Sequence, residues 1–374
     1  MKTKYRHIIN IMFGLVGVVL LGGCAADSAD ASQQSVSRNQ RDIYLSPYSQ
    51  TYPDVTPVLS HRALPDNYVV YDELSPMMEI ENTKIHCFIT HSRNVDFQGD
   101  FIYNGSSSWF SKVPLDKDDY YVYGFMPSVE KASVTTLDPN DANSIYEQGA
   151  IITFNNMDAV TTSDLCVIVG VKGAEGNETA IANMDMKLGN FKYNADNEGD
   201  HIYLLMNHLY AALQFRMTID SEYRQLRKIK LTKLELQSPN WEKVTVKATL
   251  TPNENGTLPL AINQTPTTGV GAWKTLYSGS EKELDPTTPQ EFLAFVAPGV
   301  GNKTFKMRST YNVYDRYDNL IGERTAENVL TLKFEENKEA LAAGEKYTFN
   351  LTVNPTYLYV LSDPDLDNPT VVVN

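Results

Sequence analysis

Reactive side chains are sparse in this chain, and their spacing argues against most of the chemistry they could do. His86 and Cys87 are neighbours, the two residue types of a thiolate–imidazole nucleophile, but adjacent side chains on a strand point to opposite faces and cannot meet. His91, His201 and His208 lack the spacing of a zinc site. Two acidic runs, Asn194-Ala195-Asp196-Asn197-Glu198-Gly199-Asp200 and Asp363-Pro364-Asp365-Leu366-Asp367-Asn368, have the composition of a calcium loop. Neither carries glycine at the sixth position with glutamate at the twelfth, so both read as solvated turns. A glycine-rich phosphate loop and a Gly-x-Ser-x-Gly elbow are both absent from the sequence. No catalytic residue, metal ligand set or cofactor is expected, and the chain reads as non-enzymatic.

The one cysteine placed for a modification is Cys24. Lys2, Lys4 and Arg6 precede an uncharged apolar run over residues 8–21, and Leu21-Gly22-Gly23-Cys24 follows. This arrangement resembles a lipoprotein signal peptide ending in its lipobox, with Cys24 as the lipidated first residue of an exported protein. The alternative is a transmembrane anchor, against which stands a run shorter than the roughly 20 apolar residues that span a bilayer. Cys87 and Cys166 lie in strand-like apolar surroundings. Either they are buried thiols or they pair, and their spacing does not decide between the two.

At 374 residues the chain is long enough for two domains beyond the leader. The formal charge of −14 becomes −17 once the three basic residues of segment 1–23 are removed. Nucleic acid is therefore excluded as a partner, since phosphate binding needs clustered Lys and Arg. Residues 24–62 are rich in Ser, Gln, Asp and Pro and read as a tether or propeptide, with one extended piece around Ile43-Tyr44-Leu45.

Beyond residue 62 the dominant pattern is period two. Tyr121, Tyr123 and Phe125 share one parity; Leu213, Phe215, Met217 and Ile219 share another; Val244, Val246, Ala248 and Leu250 a third. In the run from Ile229 to Leu236 the apolar parity slips after Leu231, which a β-bulge reconciles. The best helical periodicity falls on residues 201–212. An all-β chain of two antiparallel sandwiches is expected, over 63–205 and 206–374. Twenty-two tyrosines could form a binding platform or cross-strand packing.

Several stretches, taken in order, resemble the fimbrillins, subunits of type V pili, and the wider group of fimbrillin-like surface lipoproteins. They are Arg62-Ala63-Leu64-Pro65 ahead of Tyr68, Asp119-Tyr120-Tyr121-Val122-Tyr123-Gly124-Phe125-Met126-Pro127, and Ser163-Asp164-Leu165-Cys166-Val167-Ile168-Val169-Gly170-Val171. In the second half, His208-Leu209-Tyr210-Ala211-Ala212-Leu213-Gln214-Phe215 and Gly344-Glu345-Lys346-Tyr347-Thr348-Phe349-Asn350-Leu351-Thr352-Val353 are similar too.

The resemblance implies two tandem transthyretin-like β-sandwiches and export to the outer membrane as a precursor lipidated on Cys24. It also implies cleavage after an arginine by a trypsin-like protease, and strand exchange with other pilus subunits in an extracellular fimbrium that supports cell adhesion. Carried onto this chain, Arg62 is the preferred cleavage residue and Ala63 the new N-terminus, with Arg38 and Arg41 as alternatives in the tether. Tyr357, Tyr359, Leu361, Val371 and Val373 form the candidate donor strand, which is equally compatible with a terminal strand of its own domain. Pro47, Pro53 and Pro57 leave only short pieces such as Val58-Leu59-Ser60 to pair within the excised part. The alternative is an anchored monomer that captures glycan or host protein through loop-borne aromatics such as Trp109.

Overall fold

Alternating side chains along a strand bury one face, and strands buried on both faces show no alternation at all. Both kinds occur in this chain. The computed structural model describes residues 40–50, 68–70, 83–105, 108–116, 118–174, 185–299, 302–331 and 340–353. The described residues are nearly all β.

Seven strands close into a ring in the order β6 (Asp119–Met126), β10 (Cys166–Ala174), β12 (His201–His208), β1 (Gln40–Gln50), β5 (Trp109–Pro114), β4 (Asn94–Tyr103) and β3 (Lys84–His91), which returns to β6. The β6–β10 closure is made by Met126↔Cys166 and Phe125↔Val167. Two short strands, β2 (Tyr68–Val70) and β11 (Lys192–Asn194), extend the ends of β1 and β6. Neighbours in the ring are antiparallel except β1 and β12, which run parallel. The interior is filled by Ile43, Leu45, Ile85, Phe101, Val122 and Ile202, among others.

One outer face of the ring packs on a sheet of order β16 (Leu260–Thr268), β15 (Trp241–Leu250), β8 (Ala150–Asp158) and β7 (Ala132–Thr136). Phe88, Phe125 and Leu205 from the ring meet Ile152, Phe154 and Val246 from that sheet in one apolar cluster. β6, β10 and β12 are thus covered on both sides. The helical periodicity over 201–212 therefore marks no helix. That stretch is β12 and the start of β13 (Ala211–Ile219), and its all-round apolarity reflects burial on two faces.

The remaining strands form a sandwich. One layer has the order β21 (Lys346–Val353), β13, β18 (Gln290–Val296) and β9 (Val160–Thr161). The other has the order β17 (Lys274–Glu283), β14 (Arg227–Gln237), β19 (Thr304–Asp315) and β20 (Leu320–Thr331). Leu213, Phe215 and Met217 face Leu234, Leu236 and Met307 across the core. The bulge expected after Leu231 is present, with register shifting between Leu231 and Lys233 against both neighbours of β14. A single helical turn, α1 (Ser221–Arg224), is capped by the Asp220 carboxylate, which accepts from the N–H groups of Glu222 and Tyr223.

The division expected at 205/206 is crossed twice. β15 and β16, from beyond it, complete the sheet of β7 and β8, while β9, from before it, pairs with β18. All described residues lie within one compact unit, Arg38–Asn374. Residues 24–62, expected as a tether, contain the eleven-residue strand β1, inserted between β5 and β12. Among the described residues, no helix is long and apolar enough to cross a membrane.

Candidate functional site

β1 is the segment whose placement bears most directly on function. Gln40 to Leu45 pair antiparallel with Pro114 to Trp109 of β5, and Tyr44 to Ser49 pair parallel with His201 to Met206 of β12. Ile43 and Leu45 point into the ring at 0% and 1% exposure. On the other face, the Tyr44 ring lies 5.3 Å from Phe110 and 6.2 Å from His201, and Tyr48 joins the cluster beneath the second sheet. Ser46 Oγ is 2.8 Å from Nε2 of His201, whose pKa is lowered by burial. Its imidazole is therefore neutral at pH 7, which lets either atom act as donor.

Pro47 sits inside this strand without breaking it, and the reason is parity. The Tyr44 N–H donates to Asp200 O at 2.9 Å, so positions 44, 46 and 48 direct their backbone groups to β12, and 45 and 47 direct theirs to the other side. On that side the last pair with β5 is Leu45↔Trp109, and pairing with β2 begins at Tyr48↔Val70. The missing proline N–H falls in the gap between the two ladders. The expectation that prolines confine pairing to pieces such as Val58-Leu59-Ser60 is thereby corrected; those three residues lie outside the described part.

Arg41 is in β1 rather than in an open tether. Its guanidinium binds the Asp200 carboxylate, with Nε at 2.8 Å, and donates to the Ala195 carbonyl. A protease needs an extended, accessible backbone, and here that backbone is already paired in the sheet. Cys24, Arg38, Arg62, Ala63, Tyr357, Tyr359, Leu361, Val371 and Val373 lie outside the described residues. The chain leaves β1 at Gln50 and re-enters the sheet at Tyr68, so Arg62 falls in the connection between them.

The acidic turn at 194–200 has internal partners. Asn194 Oδ1 accepts from the N–H groups of Asp196 and Asn197, Glu198 Oε2 accepts from the Asn194 N–H, and Asp200 is held by Arg41. Trp109 is not a loop aromatic: it is 2% exposed in β5, and its Nε1 donates to the Thr83 carbonyl at 2.7 Å. Tyr120, Tyr123, Tyr193, Tyr210 and Tyr223 are likewise core residues, whereas Tyr317 is exposed.

One constellation escaped the sequence reading. Asp164, Cys166 and His208 converge with their ligand atoms within 4.8 Å of one another, and all three are fully buried. His208 Nδ1 lies 2.8 Å from Asp164 Oδ2 and 3.2 Å from Cys166 Sγ. Cys166 and His208 are register partners in the β10–β12 pair, and Asp164 shares the parity of Cys166 two residues earlier. The only sequence signal was that shared parity, which means nothing until the pairing is known. Burial and the nearby Asp164 carboxylate push the Cys166 thiol well above its ordinary value. It is held as a neutral thiol out of reach of substrate, and the cluster ties two ring strands together. Cys87 is also a free, buried thiol inside the ring, raised by burial and by Asp100. His86, on the opposite face as strand alternation requires, binds Asp100 at 2.6 Å.

No family model matches the sequence, nor does any curated protein. Among solved structures, a fimbrial protein of Bacteroides vulgatus is 15% identical, with 84% of this chain and 95% of that one covered at a TM-score of 0.33. A candidate cell adhesion protein of Bacteroides fragilis is 12% identical over 84% of this chain and 93% of its own, with a TM-score of 0.43. The fimbrial anchor protein Mfa2 of Porphyromonas gingivalis is 13% identical, covering 76% and 82%, with a TM-score of 0.26.

Proposed function

We propose that this chain is a non-enzymatic subunit of a type V pilus, exported as a lipoprotein precursor on Cys24, cleaved after Arg62 and assembled by strand addition in an extracellular fimbrium. The observation that carries the reading is the position of β1. It is a central member of a closed ring, yet it joins the rest of the chain only through the connection that contains Arg62. One cut there would leave β1 held by non-covalent contacts alone.

Loss of β1 would open the ring between β5 and β12. That exposes two rows of backbone N–H and C=O groups and an apolar seam containing Trp109, Val113, Ile202 and Leu204. An incoming strand satisfies both needs at once, and one that takes the direction of β1 would run parallel to β12 and antiparallel to β5. The donor candidate is the C-terminal segment of another subunit, with Tyr357, Tyr359, Leu361, Val371 and Val373 as its apolar positions. Before cleavage, β1 would act as an internal placeholder that keeps the groove closed at the outer membrane.

The test is to treat the full-length precursor with a trypsin-like protease and follow mass. Cleavage after Arg62 should precede the appearance of high-mass ladders, and a chain lacking 369–374 should be cleaved without forming them. A cleaved chain that stays monomeric at high concentration sinks the proposal.

A further inference from the structure

The C-terminal sandwich is open along one side. β21 ends one layer and β20 ends the other, and neither has a second neighbour among the described strands. Between them lies a cavity of about 810 Å³, floored by Met217 and Met307 and walled by Ala326 and Leu330 of β20 and by Leu351 and Val353 of β21. Central strands of the same sandwich bury their inward residues completely, as at Leu213 and Leu234. Along the two edges the inward residues stay half-buried: Tyr347, Phe349, Leu351 and Val353 on one, Ala326 and Leu330 on the other. The core therefore has an uncovered apolar side bounded by two sheet edges, which is the shape of a missing strand.

The chain supplies a segment at the right place. Val353 lines the cavity and is the last residue of β21, and residues 354–374 follow it. Asn354-Pro355 is a turn signal, because asparagine suits the first position of a turn and proline the second. Tyr357-Leu358-Tyr359-Val360-Leu361 comes next, an uncharged run of strand-forming residues spanning roughly 16 Å when extended. Its closeness to the edge keeps the entropy of closing the connection small.

We infer that, in the uncleaved subunit, residues 357–361 turn back at Asn354-Pro355 and fill the open side of their own sandwich as the strand beside β21. The inference concerns the free precursor and does not rest on the assembly proposal. If both hold, the same segment must leave its own seat before it can be donated, which sets a barrier to premature assembly.

Two full-chain variants test it, Leu330→Cys with Tyr359→Cys and Leu330→Cys with Val360→Cys, one for each parity of the added strand. After oxidation, at least one should show a cross-link mapped within a single chain of monomeric mass. In parallel, hydrogen exchange of the β21 amides should quicken at least tenfold when the chain is ended at Asn354. Cross-links found only in covalent dimers would put a second copy in the cavity and overturn the inference. No cross-link in either variant, together with unchanged exchange on truncation, would overturn it as well. Neither failure bears on whether cleavage after Arg62 yields polymers.

Discussion

Replacing Ile43 by alanine in the full-length precursor should cost about 3–4 kcal/mol of stability. Ile43 is at 0% exposure inside the ring, and the substitution removes three methyl or methylene groups. Their transfer is worth about 2.4 kcal/mol at roughly 0.8 each, and the void left among rigid strands adds about 1 more. Because each 1.4 kcal/mol is a factor of about ten, the unfolded fraction should rise a hundredfold or more. Urea unfolding of the uncleaved chain measures this, with Gln40→Ala as control, since Gln40 is exposed on the same strand and should change stability by under about 0.5 kcal/mol. If Ile43→Ala costs under about 1 kcal/mol, indistinguishable from the control, β1 is not a stabilising member of the ring and the reasoning fails. Once the variant precursor is cleaved after Arg62 and loses the strand, its subunit is identical to the wild type, so the polymers should be equally stable.

Asp158 binds Lys243 at 2.6 Å and Lys274 as well, joining β8 to β15 and β17. Burial works against ionisation of its carboxyl, but the hydrogen bonds from the two lysines prevail and hold its pKa below the ordinary value. Asp158→Asn should cost about 1.5–3 kcal/mol at pH 7. That stabilisation is fully present above the unfolded value of about 4 and fades as pH falls through the lower folded value, so variant and wild type should converge in acid unfolding curves. A polar thiol reagent should label neither Cys87 nor Cys166 in the folded chain and both in denaturant; rapid native labelling would contradict their burial. Asp164→Ala removes the carboxylate 2.8 Å from the buried His208 imidazole and should cost about 1–3 kcal/mol, read from the urea midpoint.

What the sequence revealed was local. Period-two strands such as Leu213 to Ile219 and Val244 to Leu250 bury the residues expected, and a parity slip of one residue was enough to locate the bulge after Leu231. What it hid was non-local. β12 looked helical because burial on two faces erases the alternation that identifies a strand. β1 looked like tether because its composition is polar and proline-bearing, and only its neighbours show that Pro47 falls where no donor is needed. The Asp164–Cys166–His208 cluster is assembled by the pairing of β10 with β12, and no spacing along the chain could announce it. The burial of Trp109 is hidden for the same reason, since burial inside a closed ring depends on closure.

The most direct test of the account is the intact mass of subunits recovered from high-mass assemblies on cells. The account predicts a chain that begins at Ala63, with the lipid on Cys24 and the β1 segment both gone. Assemblies whose subunits still carry Gln40–Gln50 would contradict it, because the groove between β5 and β12 would then never have opened to receive another strand.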